Sequence, residues 1–224
     1  MSQGLKYAVD IVFCIDSTGS MGPIIDTVKA GALRFHHDLA GVMSEKNKVI
    51  DSLRVKVICF RDYWADGSGA LVESAFFTLP DEKDRFSTFV KSVHAEGGGD
   101  EPENGLEALA LAIRSDWSRA GDKRRQLVVV WTDAPAHPLE KPGKPTGYPS
   151  GLPANLDELT DMWEGQSYVS KTGKRLILHS PDADPWTPIA NHWENTVHYA
   201  SRAGQGMAEV TYNEILNAIA NSVA

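Results

Sequence analysis

Asp10 to Met21 reads DIVFCIDSTGSM, and this stretch decides the fold. Ile11, Val12, Phe13, Cys14 and Ile15 form a continuous apolar run, the pattern of a strand buried on both faces. The run stops at Asp16, and hydroxyls follow at alternate positions, Thr18 and Ser20, on either side of Gly19. A buried strand that ends in a carboxylate and spaced hydroxyls sets hard oxygen ligands at the carboxyl end of a sheet. Such ligands suit a hard cation such as Mg²⁺, and this is where open α/β sheets bind ligands.

Working outward, apolar runs alternate with helical periodicity, as in a mostly parallel sheet covered by helices on both faces. The first strand is expected at about 8–16, and a helix follows from Pro23, with Ile24, Val28, Ala32, Phe35 and Leu39 on its inner face. A second strand at about 53–62 leads through Asp66-Gly67-Ser68-Gly69 to a third at about 71–79. So short a connection allows only a hairpin, so the third strand should be antiparallel and at the sheet edge. Helices are expected near 82–95, ended by Gly97-Gly98-Gly99, and at about 103–118, where Leu106, Leu109, Ala110, Ile113 and Trp117 face inward. The fourth strand, about 126–133, is apolar almost throughout. Beyond it come a helix near 156–164, a strand at 174–180, a helix near 187–200, a short strand near 207–211 and a helix at 212–222. The 224 residues are expected to form one domain, with no internal repeat.

The formal net charge of −8 argues against a diffuse phosphate-binding surface and hence against nucleic acid. The one basic run, Lys123-Arg124-Arg125, precedes a strand and reads as a solvated loop. No apolar stretch approaches the roughly 18 residues of a bilayer span, and MSQGLKYAVD at the start has no signal-peptide core. Cys14 and Cys59 lie inside apolar strands and behave as small hydrophobes rather than a disulfide framework. A cytoplasmic location is the simplest expectation. From Pro135 to Asn155 lie six of the chain's twelve prolines, with Gly143, Gly147 and Gly151. A loop this long is functional or a mobile insertion, and since it leaves directly from Asp133 it is expected over or beside the site.

Three strand-end segments carry isolated oxygen ligands: Asp16-Ser17-Thr18-Gly19-Ser20, Gly97-Gly98-Gly99-Asp100-Glu101-Pro102-Glu103, and Thr132-Asp133-Ala134-Pro135. In this order and at these element ends they resemble the metal-ion-dependent adhesion site of von Willebrand factor A (vWA) domains, and the resemblance runs from Asp10 to about Val223. It implies a Rossmann-like fold with sheet order 3-2-1-4-5-6 and the third strand antiparallel. It also implies that Thr18 and Ser20 offer hydroxyl oxygens directly to Mg²⁺, Mn²⁺ or Ca²⁺, and that Asp16 and Asp133 bind through water or hold the ligating hydroxyls. Asp100 stands where integrin-type members carry a Thr. This third carboxylate should tighten cation binding and weaken the metal's pull on a partner's carboxylate. Ala134 replaces a Gly common after the third-loop Asp, which should limit motion there. In the family a partner's Glu or Asp completes the metal shell.

Arg61, Asp62 and Tyr63 end the second strand and Asp182 and Asp184 the fifth, so these residues and His137 could form a rim around the site. Capping and turn formation explain the rim aspartates equally well, and His137 reads equally as an exposed loop residue. His192, Glu194 and His198 fall in one expected helix without the i, i+4 spacing of a zinc pair. Phosphate-loop and nucleophile-elbow motifs are absent. The expected function is therefore non-enzymatic. The chain would be an adaptor or scaffold that binds another protein through the metal, as bacterial stand-alone family members do beside kinases, phosphatases or ATPases in stress and defence systems. Two alternatives stand beside it. One is a metal-dependent phosphoester hydrolase with Asp100, Glu101, Glu103 or His137 as base. The other is a structural subunit whose metal only stabilises the fold.

Overall fold

The computed structural model describes residues 5–97, 101–121, 123–140, 143, 145 and 147–224. The DIVFCID stretch lies in β1 (Leu5–Asp16), the centre of the sheet. Its alternate residues feed two cores. Val9, Ile11, Phe13 and Ile15 face one side, and Val12 and Cys14 the other. A strand covered on both faces needs no polar alternation, which is why the run is apolar throughout.

The parallel strands β2 (Lys48–Phe60) and β5 (Lys123–Trp131) flank β1, and β6 (Lys174–Pro181) and β7 (Thr196–Ser201) extend the sheet beyond β5, also in parallel. On the other edge β3 (Leu71–Glu73) and β4 (Phe77–Leu79) both pair antiparallel with β2. The order β3-β2-β1-β5-β6-β7, with β4 also beside β2, is that of the expected Rossmann-like sheet. Its expected third strand is split in two. Between the Val55–Phe77 and Ile58–Glu73 pairs, Lys56 and Val57 oppose Ser74, Ala75 and Phe76, which makes a β-bulge. There the Ser74 hydroxyl accepts from the Val57 amide at 3.0 Å in place of a backbone carbonyl.

Helices α1 (Gly22–Gly31), α2 (Phe35–Glu45), α4 (Lys83–Ser92) and α8 (Tyr212–Val223) cover one face. Helices α5 (Gly105–Ile113), α6 (Leu156–Glu164) and α7 (Trp186–His192) cover the other. A single turn, α3 (Tyr63–Asp66), follows β2. The helix expected from Pro23 through Leu39 is two helices. Ala32, Phe35 and Leu39 are buried as the periodicity requires. The break between α1 and α2 holds Tyr212 of α8, whose hydroxyl donates to Asp38 at 3.0 Å while Arg34 lies over its ring.

The expected helix near 187–200 ends at His192, and β7 takes residues 196–201. Two tryptophans set this boundary. Trp163 and Trp193 stack at 5.7 Å, the Trp163 indole donates to the Glu194 carbonyl, and Asn195 turns the chain with φ +61°. The alternation Thr-Val-His-Tyr then extends as a strand, and the strand expected at 207–211 does not form. His192, Glu194 and His198 accordingly sit in helix, turn and strand, with His198 against Ser180. Lys123-Arg124-Arg125 is the first part of β5 rather than a loop before it.

His179 on β6 is buried, stacks on Tyr199 at 4.8 Å, and its Nε2 has no hydrogen-bond partner among the described residues. Burial, with His198 nearby, pulls its pKa down to about 4. Its folded value lies below its unfolded one, so its contribution to stability is complete above the unfolded pKa and is lost as pH falls toward the folded one. Chemical denaturation should show His179→Phe losing about 2 kcal/mol less than wild type between pH 7 and pH 5. Parallel losses would contradict a neutral buried imidazole.

Candidate metal centre

The site forms where β1 stops. The Ser17 amide donates to the Phe60 carbonyl at 2.9 Å, which keeps the chain registered on β2. The Ser17 carbonyl accepts from the Glu96 amide and the Gly97 carbonyl from the Gly19 amide, so the second loop holds the first. Gly97 has φ +69°, and a Cβ there would stand 2.2 Å from Asp66 Oδ1. No other residue fits that backbone.

Asp16 lies under the loop with none of its surface exposed. Its Oδ1 accepts from the Thr18 amide at 2.9 Å and the Thr18 hydroxyl at 2.7 Å, and its Oδ2 accepts from the Thr132 hydroxyl at 2.7 Å. The Ser20 hydroxyl donates to Asp133 Oδ1 at 3.0 Å, and the Gly206 amide donates to Oδ2 at 2.7 Å. A Cβ on Gly206 would stand 1.9 Å from the Ser20 carbonyl oxygen, so the segment before α8 can approach only as glycine. Asp16 and Asp133 thus take the hydroxyl protons of Thr18 and Ser20. Each hydroxyl keeps oxygen lone pairs for a further acceptor role. Asp16, Thr18, Ser20 and Asp133 are brought together, and Asp100 lies outside the described residues. Among the described residues no group of three His, Cys, Asp or Glu side chains is disposed to hold a metal. A ligand set here has to include the hydroxyls, which suits a hard cation rather than a transition metal.

Burial pushes the Asp16 carboxyl up to about 6, against its hydrogen bonds from Thr18 and Thr132 and with a further push from Asp133. Glu103 is displaced further. It is 4% exposed, and its Oε2 has no hydrogen-bond partner among the described residues. Burial and then the charges of Asp16, Asp62, Asp66 and Asp133 push it up to about 9. Its backbone is pinned to the third loop, with the Glu103 amide on the Pro135 carbonyl at 3.0 Å and the His137 amide on the Glu103 carbonyl at 2.8 Å. Arg61, at the end of β2, faces Glu96 at 3.5 Å and Asp66 at 4.0 Å rather than Glu103. An orphaned buried carboxylate among other carboxylates is short of positive charge, so the residues present fit a divalent cation. Sequence reasoning gave Glu103 only as a candidate base. The helix it precedes, α5, is buried on nearly every face, which keeps an acidic residue at its entrance from water, a tertiary fact that sequence reading could not supply.

The rim residues divide. Arg61 also donates to the Gly69 carbonyl at 2.7 Å, closing the turn after α3. Asp62 is buried, caps α3 through the Trp64 amide at 2.9 Å, and faces His137 Nε2 at 3.4 Å. His137 packs against the Trp64 ring at 5.6 Å and is half-buried rather than a free loop residue. Tyr63 is 2% exposed, so its ring belongs to the interior and not to a docking surface. Asp182 and Asp184 are exposed beyond β6, with Asp182 accepting from the Thr187 hydroxyl of α7 at 2.6 Å. The third loop is held firmly, since the Ala134 carbonyl accepts from the Trp186 indole at 3.0 Å and its amide donates to the Thr132 hydroxyl at 3.1 Å.

The described residues of the long segment at 135–155 meet the site's flank at Ala136, His137 and Tyr148. Tyr148 donates to the buried Glu107 at 2.8 Å, and its ring meets that of Tyr63 at 5.1 Å. Glu107 also accepts from Asn104, whose Oδ1 accepts from the Tyr63 amide, so loop, α3 and α5 are joined in one network. Tyr148→Ala should release the loop. The expected result is at least a tenfold faster proteolytic cut within 135–155, with about 1–2 kcal/mol lost globally. An unchanged cutting rate would show that Tyr148 is not the anchor.

No known family profile matches the chain. An alpha-protein kinase of Dictyostelium discoideum, vwkA, is 29% identical over 157 residues, 69% of this chain and 23% of its own. The von Willebrand factor A domain-containing protein 7 of Rattus norvegicus is 36% identical over 106 residues, 47% of this chain and 10% of its own. The chain therefore spans less than a quarter of either curated relative. Two crystal structures of the pilus adhesin SpaC from Lactobacillus rhamnosus GG superpose with TM-scores of 0.53 and 0.52 at 11% and 15% identity, over 96% of this chain and 30% of the adhesin. At that identity the likeness is one of fold. In sequence the chain is similar to proteins whose names carry the von Willebrand factor A domain, and its mostly parallel, helix-flanked sheet is consistent with the Rossmann-like fold of that family.

Proposed function

We propose that this chain is a vWA domain with a metal-ion-dependent adhesion site, and that it binds a partner protein through a divalent cation without catalysing a reaction. Thr18 and Ser20 would ligate directly, with Asp16, Asp100 and Asp133 behind them and Glu103 as an added carboxylate. A cation held there, Mg²⁺ or else Mn²⁺ or Ca²⁺, supplies a Lewis-acidic pole for a partner's Asp or Glu. The observation that carries this reading is the pair of hydroxyls whose protons are committed to Asp16 and Asp133, beside the orphaned Glu103 carboxylate.

The setting we propose is a cytoplasmic adaptor or scaffold in a signalling or bacterial stress and defence complex, with a kinase, phosphatase or ATPase as partner. The kinase name of the Dictyostelium relative supports the signalling role. Cys14 and Cys59 are free and buried, which is compatible with a reducing compartment. Among the described residues no helix is long and apolar enough to cross a membrane.

Affinity capture with the tagged chain in Mg²⁺ and in chelator tests the proposal. A partner retained in Mg²⁺, released by chelator and lost when its own acidic residue is changed to the amide is the expected result. Capture that ignores chelator would refute it. Capture that ignores the acid-to-amide change would favour a metal with a purely structural role. The hydrolytic alternative rests on Glu103 as an unpartnered acid, and metal-dependent turnover of a phosphoester panel, lost in Asp16→Ala, would establish it.

A further inference from the structure

The amino-terminal end of β5, remote from the metal centre, opens into a second polar cavity of about 510 Å³. It lies between the segment after α5, the first residues of β5 and the segment 166–170. The chain as a whole carries 30 acidic and 22 basic residues, yet this cavity gathers Arg114, Arg119 and Arg124 against one carboxylate, Asp116. None of the three arginines has a carboxylate partner among the described residues. Two are held in place by carbonyls, which orient a guanidinium without neutralising it. Arg114 Nη1 donates to the Gly151 carbonyl at 2.7 Å, and Arg124 Nη1 to the Arg119 carbonyl at 3.0 Å.

A neutral donor stands beside the arginines. Gln126 on β5 lines the cavity and is only 6% exposed. Its Oε1 accepts from the Ser170 amide at 2.6 Å. A backbone N–H can only donate, so the atom facing it has to be the oxygen. That leaves the Nε2 amide group as the other prong, with no acceptor among the described residues. Nε2 is not closed off from solvent and is free to donate into the cavity, and positively charged planar forks beside such an amide match the oxygens of a phosphoryl group.

We propose that this cavity binds the pyrophosphate group of a small molecule, with Arg119 and Arg124 supplying charge and Gln126 a neutral donor. Its source is either free pyrophosphate or a nucleoside diphosphate, for which Tyr168, 45% exposed in the same wall, offers a flat ring face. The site is independent of the metal centre.

Isothermal titration in chelator, with inorganic pyrophosphate in one arm and ADP in the other, tests this on the whole chain. Chelator removes any phosphate binding through a cation at Asp16. Saturable binding is expected, tighter for ADP if the base is held and tighter for pyrophosphate if only the anion is read. Arg119→Ala with Arg124→Ala should weaken it by at least about tenfold. Gln126→Glu keeps the acceptor for Ser170 and replaces the donor with a negative charge, so it should weaken binding at least as much. No saturation with either ligand up to about 10 mM, or undiminished binding in both cavity variants, would overturn the assignment.

Discussion

Asp16→Ala should abolish the stabilisation of this protein by divalent cations. With the cation at 100 times its dissociation constant, wild type should gain about 2.7 kcal/mol, a rise of roughly 5–10 °C in melting temperature for a domain of this size. The variant should gain nothing. Asp16 organises the site, since it accepts from the Thr18 amide and hydroxyl on one oxygen and from Thr132 on the other. Without it the Thr18 hydroxyl has no reason to turn its proton inward, and its lone pairs lose their orientation. The baseline stability of the variant combines two opposed effects. Losing the acceptor leaves buried donors unsatisfied, which costs about 1–3 kcal/mol, while removing a carboxyl raised by burial relieves the interior. The increment on adding cation is therefore the decisive quantity. Asp16→Asn, which keeps the volume, should give the same null increment. A cation-induced shift that survives in both variants would place the metal elsewhere, and none in wild type would remove the metal from the proposal.

Glu103→Gln should move two measurements in opposite directions. In chelator, the folded pKa of Glu103 lies above its unfolded value, up to about 9. The unfolded state therefore releases its proton first, and this group lowers stability progressively as pH rises between those values. The amide cannot ionise. Glu103→Gln should be more stable than wild type at pH 8 by about 2–3 kcal/mol, with solvent screening allowed for, and the two should converge near pH 4.5. In Mg²⁺ the order should change, because a carboxylate close enough to feel the charges of Asp16 and Asp133 adds to the attraction for a cation held between them. The variant should bind Mg²⁺ at least about tenfold more weakly. A variant stabilised in chelator with unaltered Mg²⁺ affinity would make Glu103 a strained structural acid only. A variant destabilised in chelator would show that its carboxylate already has a partner.

Much of this architecture could be read along the chain. The buried run 11–15, the hydroxyls at 18 and 20 and the aspartate closing the fourth strand are local patterns, and the fold places them at one end of the sheet. Where tertiary contacts decide, sequence reading went astray. Residues 193–200 have helical spacing of apolar side chains, but the stacked Trp163 and Trp193 and the left-handed Asn195 redirect them into β7. The expected third strand has the right register only in pieces, because the bulge at Ser74 depends on the strand it meets.

The sheet order was legible only as what the resemblance to vWA domains implies, whereas the sequence by itself determined the mostly parallel sheet, the antiparallel third strand and the placing of Asp16, Thr18, Ser20 and Asp133 at element ends. Those follow from period, strand ends and short connections, all local properties of a chain. Only the tertiary structure decided that Glu103 stands orphaned beside them, that Tyr63 is interior and that Gln126 and three arginines share a cavity. Burial and the partner of a polar atom are set by segments far apart in sequence, and no spacing along the chain encodes them.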